Sequence, residues 1–145
     1  MPTRTAVTTW SGALQQGSGT VELISSGLGK YDVSFPKRAA EEAGGTTSPE
    51  ELIAAAHSSC FAMQFSALLG RSGATPTGIV VRADVTLGQD PAGGLRIARI
   101  HLPVRGSASG ADQVAFVEAA EQAKLTCPVS KALTGTELTL DAALS

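Results

Sequence analysis

Short apolar-rich runs punctuated by glycine fill the first third of the chain. Thr5 to Trp10 is rich in Thr and Val, Thr20 to Ile24 reads Thr-Val-Glu-Leu-Ile, and Tyr31 to Phe35 alternates about Val33. Gly12, Gly17, Gly19, Gly27 and Gly29 separate these runs. Glycine between β-branched stretches marks turns, so the pattern predicts a three-stranded antiparallel meander. Pro36 is expected to end the third strand, and Lys37 to Thr47, rich in charge, Ala, Gly and Thr, reads as a loop. Gly44 to Thr47 has the glycines of a phosphate cradle but not its lysine, and reads as an approach to a helix.

The next segment carries the clearest helical signal. Ser48 suits the N-cap, Pro49 the first turn, and Glu51 completes an S-x-x-E capping box; Glu50 and Glu51 face the positive end of the helix dipole. The periodicity predicts a helix from Glu50 to about Leu69, stopped by Gly70. At 100° per residue Leu52, Ile53, Ala56, Cys60, Met63 and Ala67 share one face, and Phe61, Phe65 and Leu68 a roughly opposite one. A helix apolar on two sides is buried between layers or between subunits.

Beyond it, Thr75 to Gly78 reads as a turn and Ile79 to Leu87 as a half-exposed strand. Gln89 to Gly94 closes a hairpin into a returning strand, Leu95 to Val104. A second amphipathic helix is expected from about Asp112 to Lys124, with Val114, Val117, Ala120 and Ala123 on its inner side. Cys127-Pro128 opens a short helix to about Leu133, and Thr136 to Leu140 is a final strand. Two groups of strands about a buried helix predict an α+β fold with antiparallel sheets around a central helix.

Length and charge narrow the function classes. The 145 residues fit one domain, 1–145, large enough to fold without disulfide or metal. A net charge of −2 and 4% aromatic residues argue against a partner that is nucleic acid. No uninterrupted apolar stretch approaches the ~18 residues of a membrane span. Met1 to Trp10 has no apolar signal-peptide core, so the expected location is cytoplasmic.

Two cysteines, Cys60 and Cys127, are too few for a disulfide scaffold, and their separation excludes a CxxC motif. His57 precedes Cys60 by three residues, which admits a Cys-His hydrolase pair, or, with His101, a metal site short of ligands; a packing histidine bonded to a neighbour is the plainer reading. Cys127 precedes Pro128 at a helix start, where unpaired N–H groups lower a thiol's pKa, so local sequence favours Cys127 as the more acidic thiol. Cys60, three turns into its helix, needs an external cation. Lys37 and Arg38 are the available source, and Glu50 is placed to hold Arg38 by a bidentate pair; without more context all three are more often plain surface charges.

Thr47-Ser48-Pro49-Glu50-Glu51-Leu52-Ile53-Ala54-Ala55-Ala56-His57-Ser58-Ser59-Cys60-Phe61 closely resembles the central-helix signature of the OsmC/Ohr family, the osmotically inducible protein C and organic hydroperoxide resistance proteins. Cys127-Pro128-Val129-Ser130-Lys131-Ala132-Leu133 resembles its second cysteine motif. The resemblance covers essentially the whole chain. His57, the Trp10-Ser11-Gly12 opening and Arg38 within Phe35-Pro36-Lys37-Arg38 are similar to the OsmC branch. It implies an OsmC-like fold, an intertwined homodimer, and a thiol peroxidase that reduces organic hydroperoxides to alcohols.

By the same resemblance Cys60 is the peroxidatic cysteine, Cys127 the resolving one, Arg38 the thiolate-stabilising cation and Glu50 its carboxylate partner. Leu52, Ile53, Met63 and Phe61 are the expected substrate-lining residues. Glu41 and Glu42, two extra acids beside Arg38, depart from the pattern and weaken its expected hold on a thiolate. The implied cycle forms a Cys60 sulfenic acid and a Cys60–Cys127 disulfide, reduced by an external dithiol such as a dihydrolipoyl protein, with no metal or organic cofactor. The rival readings are a redox sensor or binding module without turnover, and the Cys-His hydrolase.

Overall fold

The computed structural model describes residues 1–145. They form two compact units, residues 1–52 and 53–145. The boundary falls inside the longest helix, after Leu52.

The first unit is the expected meander: β1 (Val7–Ser11), β2 (Ser18–Glu22) and β3 (Lys30–Val33) pair antiparallel in that order. Trp10 stands opposite Gly19, and Val21, opposite Thr8 and Tyr31, is buried. The segment expected to finish the third strand and enter a loop instead forms a helical turn, α1 (Phe35–Arg38). Ser34 caps it, accepting from the Lys37 N–H at 3.3 Å, and Pro36 lies in its first turn, where proline lacks no bond it needs. Pro36 therefore begins a helix rather than ending a strand.

The central helix, α2 (Pro49–Arg71), starts where the capping residues predict. Glu51 N–H donates to Ser48 Oγ at 3.1 Å, but the reciprocal half of the capping box is absent: Glu51 Oε2 accepts from Thr47 Oγ1 at 2.6 Å. Gly70 does not stop the helix. The stop is Gly73, at φ 86°, in a Schellman arrangement with Ala74 N–H on Leu69 O at 3.0 Å and Gly73 N–H on Gly70 O at 3.1 Å.

In the second unit β4 (Thr75–Val81), β5 (Asp84–Gln89), β6 (Leu95–Ser109) and β7 (Glu137–Leu144) form one sheet, with α3 (Gln113–Thr126) and α4 (Pro128–Ala132) between β6 and β7. The expected turn at Thr75 to Gly78 is the start of β4, with a register shift between Pro76 and Gly78. The single strand expected over Ile79 to Leu87 is two, broken at Arg82-Ala83. Both lie antiparallel to β6, β4 against its second half and β5 against its first. β7 pairs with β6 in parallel, the one pairing that departs from the antiparallel pattern. A return through α3 and α4 makes that direction available, as a tight hairpin cannot.

Alternate residues of β6, Ile100, Leu102 and Val104, face Phe61, Phe65 and Leu69 of α2 and Phe116, Ala120 and Ala123 of α3; all nine side chains are fully buried. Phe65 meets Phe116 edge-on, ring centres 4.9 Å apart at 80°. Of the two apolar faces expected on α2, the core takes the phenylalanine face together with His57; Ala56, Ala67 and Met63 (72% exposed) stay uncovered. On α3 the inner side is set by Phe116, and Val114 is 65% exposed, contrary to expectation. A helix buries its largest ring first.

At 23 residues α2 is long and apolar enough to cross a bilayer by length and composition alone. The expectation of no spanning segment passed over it because polar side chains interrupt the apolar run. Its buried Phe61, Phe65 and Leu69 are those of a core helix, which meets the same test.

Phe65→Ala removes the ring that joins α2 to α3, and urea unfolding should show a loss of about 3–5 kcal/mol. A loss below about 1 kcal/mol would mean that the core closes without it.

Candidate active site

In the first unit, Arg38 at the end of α1 and Glu50 in the first turn of α2 form the bidentate pair that their chemistry suggests. Arg38 Nε donates to Glu50 Oε1 at 3.0 Å and Oε2 at 3.2 Å, and Nη2 donates to Oε1 at 2.7 Å. The pair is largely withdrawn from water, with the Glu50 side chain 11% exposed. Such a fork fixes the guanidinium's plane and leaves its Nη1 for another partner. Glu41 and Glu42 are exposed and take no part in these bonds. Arg38 lines an apolar cavity of about 480 Å³ with Trp10, Val21, Val33, Phe35, Pro49 and Leu52.

In the second unit the two cysteines meet. Cys127 Sγ and Cys60 Sγ are hydrogen-bonded at 3.1 Å; both are free thiols, Cys60 partly exposed and Cys127 fully buried. Cys127 occupies the N-cap of α4, but its side chain caps nothing. Instead the N–H of Val129, in the first turn of α4, reaches the sulfur of Cys60. The N–H at the helix start therefore reaches Cys60, and the Cys127 side chain does not take the capping bond that its position suggested. Burial pushes the Cys60 thiol above its ordinary value, the Cys127 thiol beside it pushes the same way, and the Val129 N–H opposes them.

His57 is fully buried, and its Nε2 pairs with Ser130 Oγ at 2.7 Å, while Nδ1 has no partner. It makes no bond to Cys60, so the imidazole–thiol pair of a Cys-His hydrolase is not formed. His101, the third ligand of the metal reading, pairs through Nδ1 with Thr139 Oγ1 at 2.7 Å, and no three His, Cys, Asp or Glu side chains converge. Ser130, and Gln64, whose Nε2 donates to Thr126 Oγ1 at 2.8 Å, escaped the sequence reading. The clue to Ser130 was its spacing: three residues past Cys127, as His57 lies three before Cys60.

The four expected lining residues have different settings. Leu52 lines the Arg38 cavity, Ile53 packs against the core, Phe61 is fully buried within it, and Met63 is exposed beside Ala62, Ser66 and Ala67. Phe61 faces inward because its ring completes the core with Phe65, centres 6.0 Å apart.

Residues 42–141 match the family described as OsmC-like protein. Among characterised proteins, the chain is 42% identical over 132 residues to peroxiredoxin OsmC of Escherichia coli K12, covering 91% of this chain and 90% of that one. Among solved structures it is similar to an organic hydroperoxide resistance protein from Elizabethkingia anophelis (TM-score 0.79, 25% identity, 100% and 98% of the chains covered). It is also similar to the organic hydroperoxide resistance protein OhrB of Bacillus subtilis (TM-score 0.74, 27% identity, 95% and 97% covered).

Burial holds the His57 imidazole below its ordinary 6.5. The unfolded chain then binds the proton more readily than the native one, so stability is retained above about pH 6.5 and lost as pH falls below it. In urea titrations between about pH 8 and about pH 5, the wild-type midpoint should fall more steeply than that of His57→Gln, which cannot titrate. Parallel curves would show that His57 charges freely in the folded state.

Proposed function

The chain belongs to the OsmC-like family, on the side of peroxiredoxin OsmC, and we propose from that premise that it is a thiol peroxidase reducing organic hydroperoxides to alcohols. The observation that carries the reading is the 3.1 Å contact between a partly exposed and a buried thiol. A covalent disulfide is about 2.05 Å long, so about 1 Å of movement closes it. The partial exposure of Cys60 and the burial of Cys127 support attack by the first and resolution by the second.

In the proposed cycle the Cys60 thiolate attacks the distal oxygen of the hydroperoxide. An S–O bond forms, the O–O bond breaks, and the departing alkoxide takes a proton and leaves as the alcohol. The Cys127 sulfur then attacks the Cys60 sulfenic acid; the S–S bond forms, and the hydroxide leaves with the Cys127 proton as water. An external dithiol, for which a dihydrolipoyl protein is the proposed source, returns both thiols by exchange. The chemistry is that of the two sulfurs and asks for no metal or organic cofactor.

Burial works against the Cys60 thiolate, so the proposal needs a cation, and we assign that role to Arg38 held by Glu50. The apolar cavity that Arg38 lines suits the organic group of the peroxide, with Leu52 as the member of the expected lining set that belongs to it. We further propose a single 1–145 domain, since the family match spans the boundary at Leu52, and a homodimer, whose partner covers the exposed flank of Ala56, Met63 and Ala67. A cycling thiol pair fits a reducing compartment, so the proposed location is the cytoplasm.

Steady-state consumption of cumene hydroperoxide with dihydrolipoamide tests the reading. Wild type should turn over many times, whereas a sensor stops after one equivalent. Arg38→Ala should lose at least tenfold in rate with Cys60 alkylation shifted to higher pH, each unit of thiol pKa being worth about 1.4 kcal/mol. An unchanged alkylation profile would remove Arg38 from the mechanism.

A further inference from the structure

Three side-chain contacts tie one flank of α2 to the segment that carries Cys127. Cys60 meets Cys127 at 3.1 Å, His57 Nε2 meets Ser130 Oγ at 2.7 Å, and Gln64 Nε2 donates to Thr126 Oγ1 at 2.8 Å. Along α2 the order is 57, 60, 64; along the facing segment it is 130, 127, 126. The thiol contact is thus bracketed by one polar rung on each side. His57 and Cys60 are separated by three residues, and so are Cys127 and Ser130, so the spacing on the two elements matches.

The His57 rung is the stiffer one. His57 is fully buried and Ser130 is 5% exposed, so water does not compete for the bond. Nδ1 is buried without a partner. With Nδ1 unpartnered, the bond to Ser130 Oγ is the imidazole's one polar tie, whichever of the two atoms carries the proton. A histidine kept neutral and half-unpaired in a core is an expensive way to fill space. α4 has only five residues and carries little stability of its own, so its position depends on what grips it.

We propose that His57 and Ser130 are positioning residues for resolution: their hydrogen bond holds the start of α4, and with it Cys127, against Cys60. The step served is the one already described, Cys127 displacing hydroxide from the Cys60 sulfenic acid to give the disulfide and water, so the inference rests on the peroxidase reading. Gln64 and Thr126 grip the other side, at the last turn of α3. With the His57 rung cut, Cys127 samples more positions and the sulfenic acid lives longer.

Reduced protein is mixed with one equivalent of cumene hydroperoxide and dimedone, and the products are weighed intact. In His57→Ala and in Ser130→Ala the ratio of disulfide to dimedone adduct should fall roughly tenfold, the scale of one buried hydrogen bond. The double variant should be no worse than either single one, and His57→Gln, which restores a hydrogen-bonding group near Nε2, should recover most of the loss. If His57→Ala does not fold, Ser130→Ala carries the test, since it removes one hydroxyl. A second measurement uses no peroxide: equilibration with glutathione should show about a tenfold lower effective concentration of the thiol pair in both variants. Unchanged ratios and unchanged equilibria in Ser130→Ala would overturn the inference, as would a His57→Gln variant as impaired as His57→Ala. A wild-type protein inert to hydroperoxide would sink the peroxidase reading instead, while the glutathione measurement still reports on the grip.

Discussion

The packing of α4 against α2 brings Cys127 within 3.1 Å of Cys60 across sixty-seven positions of sequence. Neither cysteine alone has a setting that explains it. Cys60 lies three turns into a helix, beyond the reach of its dipole, and Cys127 sits at an N-cap without capping. Together they form one unit: the first turn of α4 turns an N–H to Cys60, and the buried Cys127 thiol lies against the same sulfur. The chain of buried aromatics from Phe61 through Phe65 to Phe116 joins α2, which carries Cys60, to α3, which Cys127 directly follows.

Electrostatics then sets the terms for reactivity. Within the second unit, burial and the neighbouring thiol both favour the protonated form of Cys60, and a single backbone N–H opposes them. A nucleophilic thiolate needs more than this. In the proposed cycle Arg38 has that role, because a guanidinium stays charged in a protein and Glu50 fixes its plane with three hydrogen bonds. The same reasoning separates structural from reactive charge. Glu41 and Glu42, near in sequence, are exposed and leave Arg38 alone, while Glu50, twelve residues away, holds it.

The local signals in the sequence were legible where one short segment decides the outcome. The meander follows from its glycines, the start of α2 from Ser48, and the Arg38–Glu50 pair from the matching geometry of fork and carboxylate. Failures cluster where distant segments compete. Gly70 reads as a stop until Gly73 offers a better left-handed position one turn on. Phe61 reads as a substrate wall until the core claims its ring. The parallel β7 depends on how α3 and α4 return the chain, which no pattern within β7 encodes. Ser130 stood in a quoted motif without a role because its partner, His57, is supplied by another element.

The central claim is a division of labour between two touching sulfurs, and intact mass after one equivalent of organic hydroperoxide tests it most directly. Cys127→Ser should gain one oxygen on Cys60 as a sulfenic acid, and Cys60→Ser should remain unmodified over the same time. Oxidation of Cys127 in the Cys60→Ser protein at the wild-type rate would reverse the roles and contradict the account.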